Sequence, residues 1–146
     1  FDPDKPRHGY VLSQGASSTN NVLNVLPDLE ASNINVKVIA CISEELFQAQ
    51  PRSYRDTVLP PGAKQDLMVV STGTRRVWPL EDAGPLTGEY SLVSDWHDEW
   101  LTGGTESDVI TEAHLDPESI YQGIKRFAAD HDTRISRQAS QLESLR

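Results

Sequence analysis

Two short apolar segments, separated by a proline-punctuated stretch, most constrain the fold of this chain. The segments "INVKVIACI" and "DLMVVST" have the composition of buried strands, and the stretch between them runs from Ser43 to Gly62 as "SEELFQAQPRSYRDTVLPPG". A helical pattern over Glu44–Gln50, a stop at Pro51 and a break at the Pro60-Pro61-Gly62 run predict a crossover. Crossovers of this length join parallel strands of one sheet and are right-handed.

Apolar side chains of this stretch are expected to hold it against the sheet. Leu46 and Phe47 are predicted anchors, and Tyr54 and Val58 lie one helical turn apart on the second half of the crossover. The strand before it lacks strict alternation, which is typical of a strand covered on both faces. Cys41, the single cysteine, is therefore expected in a buried strand rather than at a reactive thiol site.

Strand and helix patterns alternate on both sides of this unit. "GYVLSQG" predicts a first strand that ends at Gly15, and a helix follows from near Ser18 or Thr19. Pro27 falls inside that helical pattern, where it is expected to kink or restart the helix. "TRRVWPL" predicts a short helical turn, and "GEYSLVSD" predicts a fourth strand.

The last third of the chain is predicted to be helical. "TESDVITEAHL" indicates a helix opened by Thr105, and Asp116 with the following proline indicates the start of a second helix. Ile120, Ile124 and Phe127 are the side chains expected to face inward from it. Residues from Asp130 onward are polar, so this tail is expected to be a helix extension or disordered.

This alternation predicts a three-layer α/β/α domain with a mostly parallel, mixed sheet of about five strands. The expected organisation is a linker over 1–9, the domain over 10–128 and a polar tail or helix extension over 129–146. The lead "FDPDKPRHG" is typical of a linker cut from something longer, although an engineered or processed chain begins the same way.

Charge and hydropathy exclude several classes of partner. Asp and Glu outnumber Lys and Arg by 22 to 13, giving a formal charge of −9, and the basic residues form no stripe. Nucleic acid and anionic membranes are therefore not expected as partners. No apolar run approaches the roughly 18 residues of a membrane span, so a soluble, cytoplasmic protein is expected.

One loop is a candidate anion site. In an open α/β sheet, ligands bind beyond the carboxyl ends of the strands. The loop "SQGASST" places Gly15, Ser17 and Ser18 before a helix N-terminus, whose backbone N–H groups attract anions. It lacks the full G-x-G-x-x-G pattern, and simple helix capping is the favoured interpretation.

Two further clusters are candidates for a metal site or an interface. "SDWHDEW" combines Asp95, His97, Asp98 and Glu99, which are metal-ligand types, but it has no recognised ligand spacing. Its tryptophans, Trp96 and Trp100, and the arginines Arg75 and Arg76 are instead predicted to form an interface. The sequence contains no phosphate-binding P-loop and no nucleophile elbow, and no nucleophile-base pair was identified, so no catalytic residue is assigned.

The stretch from Ser43 to Gly62 resembles a segment of the transketolase C-terminal domain, where an E-L-F-x-x-Q run leads to Y-R-x-S-V-L-P. The matching residues are Glu45, Leu46, Phe47, Gln50, Tyr54, Arg55, Val58, Leu59 and Pro60. The similarity extends from Gly9 to Phe127, and Asp95 falls at the aspartate of the family's I-D-R-F-G segment. The R-F-G that follows is replaced here by "WHDEWLTGG", which indicates a divergent member.

The resemblance implies a role without chemistry of its own. In that superfamily, thiamine diphosphate and Mg²⁺ lie between two other domains, on a G-D-G…N motif that this sequence lacks. The chain is therefore expected to bind no cofactor and to be inactive alone. It is expected to pack and dimerise within an enzyme of carbohydrate metabolism that transfers two-carbon ketol units between sugar phosphates, either as an excised domain or as a separate subunit.

Two alternatives stay open at this stage. One is the C-terminal domain of a homodimeric pyruvate dehydrogenase E1-type enzyme, which shares the fold and the closing helical pattern. The other is a free-standing regulatory module that binds a small anion. The expected partners are other domains or subunits of the parent enzyme and a second copy of the chain.

Overall fold

The computed structural model describes residues 1–74, 87–95 and 101–144. The strands in these ranges are β1 (Tyr10–Gln14), β2 (Lys37–Ala40), β3 (Leu67–Ser71) and β4 (Leu92–Val93). The helices are α1 (Ala16–Ala31), α2 (Glu44–Gln48), α3 (Arg52–Val58), a 3₁₀ helix (Pro61–Asp66), α4 (Thr87–Tyr90), α5 (Glu106–Glu112), α6 (Pro117–Ala129) and α7 (His131–Glu143).

The sheet has the order β2-β1-β3-β4, and every pairing is parallel. Val11 of β1 lies opposite Val38 of β2 and Met68 of β3, while Val70 lies opposite Leu92. The predicted α/β class and parallel crossovers are confirmed. The mostly parallel, mixed sheet of about five strands that the sequence predicts has four strands, all parallel, in the described ranges.

Alternate residues of the strands face two separate apolar layers. One layer packs strand residues such as Val11 and Met68 against α1 and α6; its fully buried helical members are Val22, Leu29, Ile120, Ile124 and Phe127. The other layer packs Tyr10, Leu12 and Leu67 against the connection between β2 and β3. Because side chains alternate along a strand, these layers cover opposite faces of the sheet, which makes the domain three-layered.

Helix α1 begins earlier and runs further than the sequence predicts. Gly15, at φ +93°, turns the chain sharply, and α1 starts at the next residue rather than at Ser18 or Thr19. The helix also continues through Pro27 to Ala31 as one element. Pro27 cannot donate to the carbonyl of Leu23, four residues earlier, but Leu23 is 53% exposed, so water can satisfy that carbonyl.

Two predicted strands are shorter or more exposed than expected. β2 lies at the edge of the sheet with half-buried and exposed residues, so it is not covered on both faces. The segment predicted as a fourth strand begins with helix α4, and β4 is only two residues long. The backbone N–H of Val69 donates to the Ser91 hydroxyl at 3.0 Å, so a side chain takes the place of a strand partner there.

The closing helices begin where the sequence predicts. Thr105 caps α5 in a reciprocal capping box with Asp108, and Asp116 caps α6 through the N–H of Ser119. The polar residues after Asp130 form α7, which is tied to the domain by a buried arginine, Arg134. No helix in the described ranges is long and apolar enough to cross a membrane.

Candidate functional site

An apolar groove lies between the sheet and the connection from β2 to β3. Its volume is about 520 Å³. Leu12 and Ile39 form its floor, and helices α2 and α3 form its far wall. The full lining is Leu12, Ile39, Ala40, Cys41, Ile42, Ser43, Leu46, Phe47, Gln50, Tyr54, Val58 and Leu59. We refer to this surface as the α2–α3 groove.

The groove is open because the two helices beside it are short. Ser43 caps α2 by accepting from the N–H of Leu46, and α2 ends after five residues, ahead of Pro51. Neither α2 nor α3 contains a buried residue. Leu46 is 67% exposed and Tyr54 is 54% exposed, so the prediction that Leu46 anchors the crossover to the sheet is wrong. Ile42, which follows β2, is 97% exposed.

Cys41 lines this groove but has the character of an unreactive thiol. It follows β2 and is half-buried, so the expectation of a fully buried strand position is wrong. Burial raises the pKa of the Cys41 thiol, and the nearby carboxylates of Glu44 and Glu45 raise that pKa further. The thiolate, which is the nucleophile, is therefore disfavoured at neutral pH.

Charged side chains lie on helices α2 and α3, outside the lining of the α2–α3 groove. At the start of α2, a hydrogen bond from its own backbone N–H and another from the Ser43 hydroxyl lower the pKa of Glu45. Beside α3, Arg52 pairs with Asp56 at 3.5 Å, and Arg55 donates to the Gln48 side chain at 2.7 Å. The lining of the α2–α3 groove is thus mainly apolar, and these charged side chains lie on other surfaces of the two helices.

The predicted anion loop lies where expected, at the carboxyl end of β1. Ser18 is 1% exposed, and its hydroxyl donates to the carbonyl of Gln14, so the side chain is used inside the fold. The end of β3 meets this loop, where the Ser71 hydroxyl donates to the Gln14 side chain at 3.1 Å. Gly15 and Ser17 are partly exposed beside it. Anion binding by Gly15, Ser17 and Ser18 stays a prediction. A phosphate titration followed by NMR would refute it if the amides near Gly15 did not shift.

The other predicted clusters fall largely outside the described residues. Arg75, Arg76, Trp96 and Trp100, the proposed interface residues, lie in the ranges 75–86 and 96–100. So do His97, Asp98 and Glu99 of the acidic cluster, while Asp95 lies just after β4. Within 1–74, 87–95 and 101–144, no group of three or more His, Cys, Asp or Glu is placed to hold a metal ion.

Sequence reasoning missed the exposure of the α2–α3 groove, since it assigned the same apolar side chains to packing. The signals that could have revealed it are the length of α2, only five residues, and the position of β2 at the sheet edge. A helix this short buries little of the surface beneath it. Large exposed apolar patches are a common feature of interaction surfaces.

Comparisons with known proteins agree on one group of enzymes. The sequence profile of the "Transketolase-like TK C-terminal domain" matches residues 4–81. A transketolase of Geobacillus stearothermophilus is 49% identical over 41 residues, which are 28% of this chain and 6% of that protein.

Solved structures show the same fold. Transketolase from Leishmania mexicana aligns with a TM-score of 0.63 and 18% identity, covering 89% of this chain and 17% of that one. Transketolase from Pichia stipitis, in complex with sedoheptulose-7-phosphate, aligns with a TM-score of 0.65 and 15% identity, covering 89% of this chain and 18% of that one. The chain spans less than a fifth of the length of these enzymes.

Proposed function

Because this chain belongs to the transketolase-like TK C-terminal domain family, we propose that it is the non-catalytic C-terminal domain, or a separate subunit of that type, of a thiamine-diphosphate-dependent enzyme. The parent enzyme transfers two-carbon ketol units between sugar phosphates. The family match over 4–81 is the observation that carries this proposal. The Pichia stipitis transketolase, which was solved with a sugar phosphate, supports the substrate class.

The cofactor is proposed to bind elsewhere in the parent. Mg²⁺ prefers carboxylate and other oxygen ligands, and the described ranges contain no grouping of acidic or histidine side chains fit to hold a metal. We propose no catalytic step for the residues of this chain. Thiamine diphosphate, when bound in the parent, would supply the carbanion chemistry of ketol transfer.

The contribution of this chain is proposed to be packing. The α2–α3 groove exposes Ile42, Leu46 and Tyr54 beside a half-covered sheet edge, and burying such side chains is favourable by roughly 25 cal/mol per Å². Since more than four-fifths of the transketolase chains compared has no counterpart in this chain, the remaining domains of the parent are the proposed occupants of the groove. We also propose that the parent enzyme is a homodimer and is located in the cytoplasm.

Calorimetry tests the non-catalytic part of this proposal. Titration of the isolated chain with thiamine diphosphate in the presence of Mg²⁺ should give no heat of binding. A saturable isotherm would contradict the proposal, because it would place a cofactor site within these residues.

The substrate class is tested on the parent enzyme. With a ketose phosphate donor and an aldose phosphate acceptor, the parent should form a new ketose phosphate, and it should not decarboxylate pyruvate. Turnover of pyruvate alone would favour the pyruvate dehydrogenase E1-type alternative and reject ketol transfer.

A further inference from the structure

The segment before β1, residues 1–8, is bound to the domain largely through the side chain of Asn35. Asn35, which is 8% exposed, accepts the N–H of Asp2 at 2.9 Å through its Oδ1 atom. Its Nδ2 atom donates to the carbonyls of Asp2 at 2.9 Å, Lys5 at 3.2 Å and Pro6 at 3.2 Å. The residues expected to form a linker therefore dock on the domain, and hydrogen bonds to the Asn35 side chain hold them there.

His8 completes this attachment through the backbone of the same residue. The N–H of His8 donates to the carbonyl of Asn35 at 2.8 Å, and the Nδ1 atom of its ring accepts the N–H of Asn35 at 3.0 Å. A ring nitrogen can accept only when it carries no proton, so the ring is neutral with its hydrogen on Nε2. The hydrogen bond from the Asn35 N–H and protonation of His8 at Nδ1 are therefore mutually exclusive.

The charged groups around His8 do not compensate a proton on it. The guanidinium of Arg134 donates to the carbonyl of His8 at 3.2 Å, and the ring of His131 meets the His8 ring edge-on, with centroids 6.2 Å apart. The nearby carboxylates pair with other groups: Asp66 with Arg134 at 2.6 Å and with His131 at 3.5 Å, and Asp132 with His131 at 3.2 Å.

Two further observations indicate that acidification should weaken, rather than strengthen, the docking of residues 1–8. The adjacent cation, Arg7, stacks on the Tyr10 ring at 4.2 Å, and among the described residues no carboxylate forms an ion pair with His8. Protonation of His131, which two carboxylates face, would place a second positive charge beside the His8 ring. Acidification therefore removes the acceptor for the Asn35 N–H and adds repulsion between the two rings.

We propose that His8 is a proton-sensitive latch: its neutral ring strengthens the docking of residues 1–8 on the domain, and protonation at Nδ1 weakens that docking by one hydrogen bond. The proposal rests on these contacts alone and does not depend on the family assignment.

Amide hydrogen exchange of the chain, resolved by NMR, tests the latch. The protection factor of the Asn35 amide is expected to fall about tenfold between pH 7.5 and pH 5.5, the scale of one lost hydrogen bond. Protection of the Ile124 amide, within buried helix α6, should not change and reports that the domain stays folded. An Asn35 protection factor that is the same at both pH values would overturn the proposal.

Two variants separate His8 from the other titrating groups. His8→Asn supplies an oxygen near the position of Nδ1 that accepts at any pH, so the Asn35 amide should be protected equally at both pH values. His131→Gln removes the neighbouring imidazole and should retain most of the pH dependence. Loss of the pH dependence in His131→Gln, together with its persistence in His8→Asn, would overturn the assignment of the latch to His8.

Discussion

At the scale of single residues, Arg134 shows that a polar segment of the sequence can contribute a buried side chain around which other elements pack. Its side chain is 1% exposed, and its guanidinium lies 3.6 Å from the centre of the Phe127 ring. It donates to Asp66 at 2.6 Å and to the carbonyls of His8 and Phe127. The buried guanidinium of Arg134 therefore joins helix α7 to His8, before β1, to Asp66, before β3, and to Phe127 in α6 through charge-assisted hydrogen bonds.

Replacing Arg134 should destabilise the fold strongly. Arg134→Met leaves the Asp66 carboxylate without its partner, and breaking a buried pair in this way costs about 3 kcal/mol of the free energy of unfolding. Urea unfolding followed by circular dichroism measures this loss. Arg137→Met is the matched control on the same helix, because its pair with Glu89 at 3.1 Å is largely exposed. Equal losses in the two variants would contradict this account of Arg134.

Gly15 is a second residue whose replacement should destabilise the fold, because there is no room for a Cβ atom at this position. At φ +93°, an added Cβ would collide with the Thr72 hydroxyl. Gly15→Ala should therefore lower the free energy of unfolding by about 2 kcal/mol. Gly62→Ala is the control, since a Cβ there meets nothing within 4 Å, and it should be neutral or slightly stabilising. The expectation fails if thermal denaturation ranks the two variants in the opposite order.

At the scale of elements, helix α6 is the clearest case of sequence determining structure. Asp116 caps it, Pro117 occupies its first turn, and Ile120, Ile124 and Phe127 are buried along one face. Although burial of Asp116 acts to raise its pKa, hydrogen bonds from the side chain and backbone of Ser119 lower the pKa below its ordinary value. A carboxyl whose pKa is lowered by folding stabilises the protein above its unfolded pKa and loses that stabilisation as the pH falls.

Substitutions at Asp116 should distinguish the stability contributed by its capping hydrogen bond from the stability contributed by its negative charge. Asp116→Ala should cost about 1 kcal/mol at pH 7, because the N–H of Ser119 loses its acceptor. Asp116→Asn retains a capping oxygen, so it should cost less at pH 7 and should lose less stability than the wild type between about pH 5 and pH 3. Unfolding in urea at a series of pH values would contradict the capping role if the alanine and asparagine variants behaved alike.

The elements that the sequence predicts correctly are those fixed by local chemistry. The starts of α5 and α6 depend on Thr105 and Asp116, whose side chains bond to amides three residues away. The shortness of β4 accompanies a contact distant in sequence, the bond from the Val69 N–H to Ser91, so no local pattern reveals it. The site is less predictable than the fold, because exposure of the α2–α3 groove follows from the order of the strands.

At the scale of the whole molecule, the two faces of the sheet are covered to different extents. The face under α1 and α6 carries a large buried cluster, whereas the face under α2 and α3 carries a small one and leaves the α2–α3 groove open. The proposed packing role requires an open apolar face of this kind, on which further domains could pack. This asymmetry links the fold to the proposed packing role.

The most direct test of that role is a comparison of Leu46→Asp and Leu23→Asp in the parent enzyme and in the isolated chain. Both leucines are exposed by more than half in this chain, but only Leu46 lines the groove. The account predicts that Leu46→Asp leaves the unfolding of the isolated chain unchanged and lowers the ketol-transfer activity of the parent at least tenfold, while Leu23→Asp affects neither. Full activity of the Leu46→Asp parent would contradict the account.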